Sequence, residues 1–245
     1  SLAAPALWLR IGLPAANWFP KDTESAHGLT VLQAMGQGGA LQPLRVVLAL
    51  PAGSQVLDPD RIRGLKMLGD SLRANPRVQQ VRGLVDIRPG IPLWQYVQLF
   101  GDSARARERM PDLFNAYLSR DGSATVLNVF LRDTVTLDGA LQAVREVRQI
   151  HTRNIPTLER ASFMVGGFFP SALDFRDRLL LQFPFIVALV LGVTAVMLAW
   201  VFKSVLVPAK AVVMNTLSVG AAFGMTVVVF QWGVGGSLIG LEAPT

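Results

Sequence analysis

Cysteine is absent from all 245 residues, which removes disulfides, thiolate nucleophiles and thiolate metal ligands together. Histidine is nearly absent: His27 and His151 stand far apart, with no acid or second histidine at ligand spacing, so no metal site is expected. No G-x-S-x-G, phosphate-binding P-loop or strand–glycine–helix dinucleotide fingerprint occurs. The run Gly233–Gly240 is glycine-rich but carries no lysine for a phosphate. No enzyme class gains support, and no cofactor is implied. The net charge of +6 comes from arginines scattered among acids, and the densest run, Arg105–Arg109, is short and holds Glu108. A nucleic-acid surface needs clustered cations with interleaved aromatics, so no nucleic-acid partner is expected.

A second absence is more informative. After about Gln182 almost every charge disappears, which reads as a change of solvent. Phe183 to Phe202 (FPFIVALVLGVTAVMLAWVF) holds no charged residue, and neither does Ala211 to Trp232 (AVVMNTLSVGAAFGMTVVVFQW). At ~1.5 Å rise per residue each covers about 30 Å, the thickness of a bilayer core. Trp200 and Trp232 stand near span ends, where indole rings favour the interface. The sequence therefore divides into a water-exposed domain, 1–182, and a transmembrane helical hairpin, 183–245. The connection Lys203–Lys210 carries two lysines and no acid, which the positive-inside rule assigns to the cytoplasm. Residues 1–182 are then expected on the opposite side, and long domains cross irrespective of their charge. The chain opens at Ser1 with no leader of its own, and apolar Leu2–Leu9 reads as the tail of an upstream membrane helix.

The second span carries small and polar residues at helical spacing: Thr216, Gly220 and Gly224 in one stripe, Asn215, Ser218, Ala222 and Thr226 in the next. Such faces let helix backbones approach closely, and the Asn215 amide needs a partner in hydrocarbon. Ala188, Gly192, Ala195 and Ala199 repeat the pattern more weakly in the first span. Two broad small faces call for more neighbours than one hairpin supplies, so other membrane helices and membrane lipids are expected partners.

The first domain reads as strands at Arg45–Leu50, Val78–Val85, Ala124–Leu131 and Ala161–Gly166. Amphipathic helices are expected from Asp58-Pro59 to about Ala74 and from Leu137 to about Arg153. That order, β-α-β-β-α-β, is the ferredoxin-like split βαβ unit of an α+β fold. An insertion from Pro89 to Ser119 is expected to form one or two short helices carrying Trp94, Tyr96, Phe100, Phe114 and Tyr117. Those rings serve either local packing or a site for an apolar ligand. Residues 170–182 read as a helix entering the first span, interrupted at Pro184.

The stretch Phe202–Gly224, with Phe230-Gln231 beyond it, resembles the MMPL family of the resistance-nodulation-division superfamily, in the region joining the eighth and ninth membrane helices. Val165-Gly166-Gly167 followed by Asp174 is similar to the approach to that region. Leu13-Pro14, Phe19-Pro20 and Gln33–Pro43 look like the start of the second extracytoplasmic porter domain. The family's loop usually has arginine where Lys203 stands, which keeps the charge. The resemblance implies a piece of a proton-driven exporter of lipids or other hydrophobic molecules in a bacterial cytoplasmic (inner) membrane, with residues 1–182 on the periplasmic side. It implies that the other porter domain and remaining helices of a parent chain are partners. The proton-coupling carboxylates would lie elsewhere, because neither span holds one. Substrate-path candidates are Trp94, Tyr96, Phe100, Phe114, Tyr117, Phe168 and Phe169. Asn215, Ser218, Gly220 and Gly224 are helix-packing candidates, and Lys203 and Lys210 mark the cytoplasmic loop. The competing readings are a membrane-tethered extracytoplasmic binding or scaffold protein and a Sec-type accessory protein of the same superfamily. The run Leu217–Gly224 argues against the latter, and a scaffold lacks an output domain here.

Overall fold

The structure, a computed structural model, describes residues 4–5, 22–87, 90–132, 137–150 and 152–234. The apolar opening, Leu13-Pro14, Phe19-Pro20, His151 and most of the glycine-rich tail lie outside the described residues. The chain divides into two compact units, one spanning Leu13–Phe175 and one that runs from Arg176 onward.

The first unit is built on four strands: β1 Leu44–Ala49, β2 Val78–Arg82, β3 Ala124–Leu131 and β4 Ser162–Gly166. They lie in the order β2-β3-β1-β4, with every neighbouring pair antiparallel. Helix α2 (Pro59–Arg73) connects β1 to β2, and α6 (Leu137–Arg148) connects β3 to β4, so two βαβ crossovers interleave. This is the ferredoxin-like α+β architecture that the element order predicts. Alternation decides which face is buried: Leu44, Val46 and Leu48 of β1 and Leu127, Val129 and Leu131 of β3 are buried, while the intervening residues are half-buried or, at Arg45, exposed. Ile62, Leu65, Leu68 and Leu72 of α2, with Leu141, Val144 and Val147 of α6, close that core. Fully burying one such side chain stabilises the fold by about 1.5–3 kcal/mol.

Close approach to α2 depends on two of its glycines. A Cβ at Gly64 would stand 2.6 Å from Thr157 Oγ1 and 3.0 Å from the Pro156 carbonyl. Thr157 itself holds φ 75°, rare for a β-branched residue, and its hydroxyl donates to the Asp60 carbonyl at 3.0 Å. A Cβ at Gly69 would meet the Asp86 carboxylate at 2.3 Å. Buried Asp86 accepts from Lys66 Nζ at 3.1 Å and pairs with Arg73, tying the chain after β2 onto α2.

Two elements differ from the sequence reading. Helix α1 (Glu24–Ala34) precedes the sheet; Thr23 caps it, its hydroxyl accepting from the Ala26 amide at 3.3 Å. It buries none of its residues, so no apolar stripe announces it. The insertion forms three short helices rather than one or two: α3 Leu93–Phe100, α4 Ser103–Arg109 and α5 Pro111–Tyr117. Asp102 caps α4, and Pro111 opens α5 where its missing N–H costs nothing.

In the second unit, α7 beyond Arg178 and α8 are apolar and largely exposed. Helix α7 spans Phe168–Phe202 without interruption, Pro184 included, and its first turns through Phe175 belong to the α+β unit. One proline removes one backbone hydrogen bond, and the turns on either side keep the helix continuous. Helix α8 (Leu206–Thr226) passes into a wider π-helical turn, Val227–Gln231. The connection between them is shorter than Lys203–Lys210: α8 begins at Leu206, so Lys210 lies within a helix. Pro208 stands in the first turn of α8, where its nitrogen has no hydrogen bond to lose. Lys203 ends α7 in the left-handed region, φ 46°.

Candidate substrate path and membrane face

Spacing within α3 separates its aromatic residues onto two sides. Tyr96 and Phe100, four apart, join the core on a helix that packs against α2, and are each 1% exposed. Their rings stack at 6.2 Å, and Phe100 meets Phe114 of α5 edge-on at 5.7 Å. The Arg107 guanidinium lies 6.0 Å from the Phe114 ring centre, and Tyr117 packs half-buried beside this cluster. Trp94 lies on the opposite side of α3 and is 62% exposed. At the start of α7 the same division recurs: Phe169 is buried with Pro170, Ala172 and Leu173, whereas Phe168 is 51% exposed and contacts Phe169 at 5.5 Å.

The seven candidate aromatics therefore occupy different environments. Tyr96, Phe100, Phe114 and Phe169 are core rings, Tyr117 is intermediate, and Trp94 and Phe168 present their rings to the outside. A buried apolar face and an outward aromatic on one short helix give α3 both an anchor and a contact surface. The carboxylate of Asp174 fastens α7 to α6, accepting from both terminal nitrogens of Arg148 at 2.6 and 2.9 Å.

Electrostatic arrangements around the insertion are structural. Asp121 caps the turn before β3, accepting from Ser119 Oγ at 2.6 Å and from Ser123 Oγ at 2.7 Å and its amide at 3.2 Å. The two hydroxyls, Ser119 first, lower its pKa to about 2. Asn75 and then Arg77 hold the Glu146 carboxyl below its ordinary value. Among the described residues no three histidines or carboxylates gather to hold a metal.

On α8, Gly224 is buried and Gly220 half-buried, in line with Val227 at 0% exposure, one continuous stripe. Asn215 and Ser218 stand on the exposed side, as do the side chains of Lys203 and Lys210. Sequence spacing grouped all four packing candidates, and only the Gly220–Gly224 part coincides with the covered stripe. The threonines satisfy their hydroxyls within their own helices: Thr194, Thr216 and Thr226 each donate to the carbonyl four residues earlier, at 2.7, 2.8 and 3.0 Å. None of these three hydroxyls is left unpaired in the membrane-length segments.

The model of the MMPL family matches residues 17–239. A curated relative from Mycobacterium leprae, a probable transport protein MmpL11, is 45% identical over 236 residues, 95% of this chain and 20% of its own. The mycolic acid-containing lipids exporter MmpL11 of Mycolicibacterium smegmatis is 27% identical over the same share of this chain and 21% of its own. The heme uptake protein MmpL11 of Mycobacterium tuberculosis is 29% identical, with 95% of this chain and 20% of its own covered. The chain spans about a fifth of the length of these relatives.

Proposed function

The chain belongs to the MMPL family, and from that premise we propose that it forms part of a proton-driven membrane exporter of lipids or other hydrophobic molecules. The observation that carries this reading is the joining of an α+β domain with outward aromatic rings to two membrane-length segments, Phe183–Phe202 and Ala211–Trp232, that hold no acid or histidine. Substrate transfer needs apolar contact outside the bilayer, and Trp94 and Phe168 supply rings there. The carboxylates that carry protons belong to other helices of the parent, because a titrating group inside the membrane is costly and neither span has one. In this reading the membrane is the bacterial cytoplasmic membrane, the α+β domain is periplasmic, and the other porter domain completes the path. The exporter named among the relatives supports lipid as the substrate class.

The test compares the two kinds of aromatic. Trp94→Ala and Phe168→Ala, in the parent transporter, are expected to leave folded yield near wild type and lower export. Phe100→Ala is expected to lose export in proportion to folded protein, as a core truncation costing about 3–5 kcal/mol does. Export that falls at Trp94 and Phe168 only in step with yield removes these rings from the path.

A further inference from the structure

Among the described residues, the sheet face opposite α2 and α6 combines charge and apolar surface in separate rows. None of the four strands contains an acidic residue, yet Arg45 and Arg82 stand on this face. Register places Arg82, Asn128, Arg45 and Gly166 in one row across β2-β3-β1-β4. With strands about 4.8 Å apart, the two arginine Cα atoms lie roughly 10 Å from each other. Some arginines of this unit find carboxylates, as Arg77 does at Glu146 (3.2 Å) and Arg148 at Asp174, and others meet backbone carbonyls, as Arg132 does at Pro76 (3.2 Å). Arg45 and Arg82 have no carboxylate among the described residues; Arg82 instead lies over the Phe130 ring at 5.4 Å.

The next row is apolar: Val126, Val47 and Met164, the last 51% exposed. On the other side of the arginine row, beside Arg82, lies a cavity of about 90 Å³ lined by Gln37, Ala40, Gln79, Gln80, Arg82 and Phe130. Gln79 Nε2 donates to the Gly36 carbonyl at 2.7 Å, holding the turn that walls this cavity against the edge strand. Its polar side chains are one guanidinium and three amides, with no carboxylate, so it offers hydrogen-bond donors to an oxyanion and repels nothing negative.

We propose that this sheet face binds an anionic amphiphile, its phosphate or carboxylate head at Arg82 and Arg45 and its chain along Val126, Val47 and Met164. Charge complementarity selects an anion, and the adjoining apolar row selects one that carries a chain. The proposal rests on the export reading and deepens it, naming the substrate as anionic.

Calorimetric titration of the chain in maltoside micelles with dodecyl phosphate tests it, with inorganic phosphate as the chainless competitor. Dodecyl phosphate is expected to bind, more weakly as salt is raised. Arg45→Gln with Arg82→Gln is expected to weaken it by about tenfold or more, the loss of charge-assisted hydrogen bonds. Met164→Ser is expected to weaken it less, and Arg63→Gln, on α2, to change nothing. Unchanged melting temperatures show that each variant folds. Equal affinity in the double arginine variant overturns the site. Competition by inorganic phosphate at equal concentration overturns the amphiphile, and displacement by polyglutamate identifies a protein-docking face and overturns it likewise. Binding and export fail separately: a parent that moves no lipid rejects the export reading alone, and absence of dodecyl phosphate binding rejects this surface alone.

Discussion

Asp121 is a surface carboxylate whose neighbours, not burial, set its behaviour. Because its folded pKa is depressed to about 2 by the Ser119 and Ser123 hydroxyls, its contribution is fully present above the unfolded carboxylate range and is lost as pH falls through about 2. Asp121→Asn is therefore expected to lower the melting temperature of the α+β unit near neutral pH, with the difference from wild type shrinking as pH drops from 4 toward 2. A difference that stays constant across that range assigns the effect to the lost turn geometry rather than to the charge. Gly64 makes a sharper case, because two of the three atoms its Cβ would meet belong to the Thr157 hydroxyl and the Pro156 carbonyl, both held by the strained turn. Gly64→Ala is expected to destabilise by ~1–3 kcal/mol through overpacking, against the usual gain from replacing a helical glycine. Denaturant unfolding in micelles measures the sign directly.

Among elements, α2, α6 and β3 were the most legible, since their apolar residues recur at the helical or strand period along their whole length and tertiary packing uses the same faces. Helix α1 was not, having no apolar face to read. The three insertion helices are each about two turns long, too short for periodicity to count them. The division of the aromatics into core and outward rings was also hidden, because it depends on how α3 is rotated against α2. The open sheet face left only two arginines in separate strands, and register alone brings them into one row. In α8 the small-residue pattern was plain, but which part of it is covered was not. The covered stripe predicts that Gly224→Leu costs ~1–3 kcal/mol by forcing packed surfaces apart. Val219→Leu, at a position 55% exposed, is expected to be nearly silent. Val228 is half-buried beside Val227 and makes a poor lipid-facing control. Equal loss of folded protein from Gly224→Leu and Val219→Leu would show that the stripe packs against nothing.

At the scale of the whole molecule, the proposed function requires the α+β unit and the link between α7 and α8 to lie on opposite sides of the membrane. Lys203 and Lys210 are the only charged residues between Arg178 and Leu241, and no acid offsets them. Short loops with excess lysine stay in the cytoplasm, so Ser204 should face inward. The start of α8 at Leu206 does not weaken this, since Lys210 remains within the first two turns and the rule counts positive charges near span ends. Absence of cysteine makes a single-cysteine reporter on this chain free of background. Ser103 serves as the outer position, being exposed at the start of α4 and outside the Asp121 network. In intact cells, Ser103→Cys is expected to react with a membrane-impermeant maleimide, while Ser204→Cys reacts only after permeabilisation. Labelling of Ser204→Cys from outside at the rate of Ser103→Cys would reverse the orientation and place the open sheet face, with its two arginines, on the cytoplasmic side. The lipid path proposed for Trp94 and Phe168 would then begin at the wrong leaflet for an exporter.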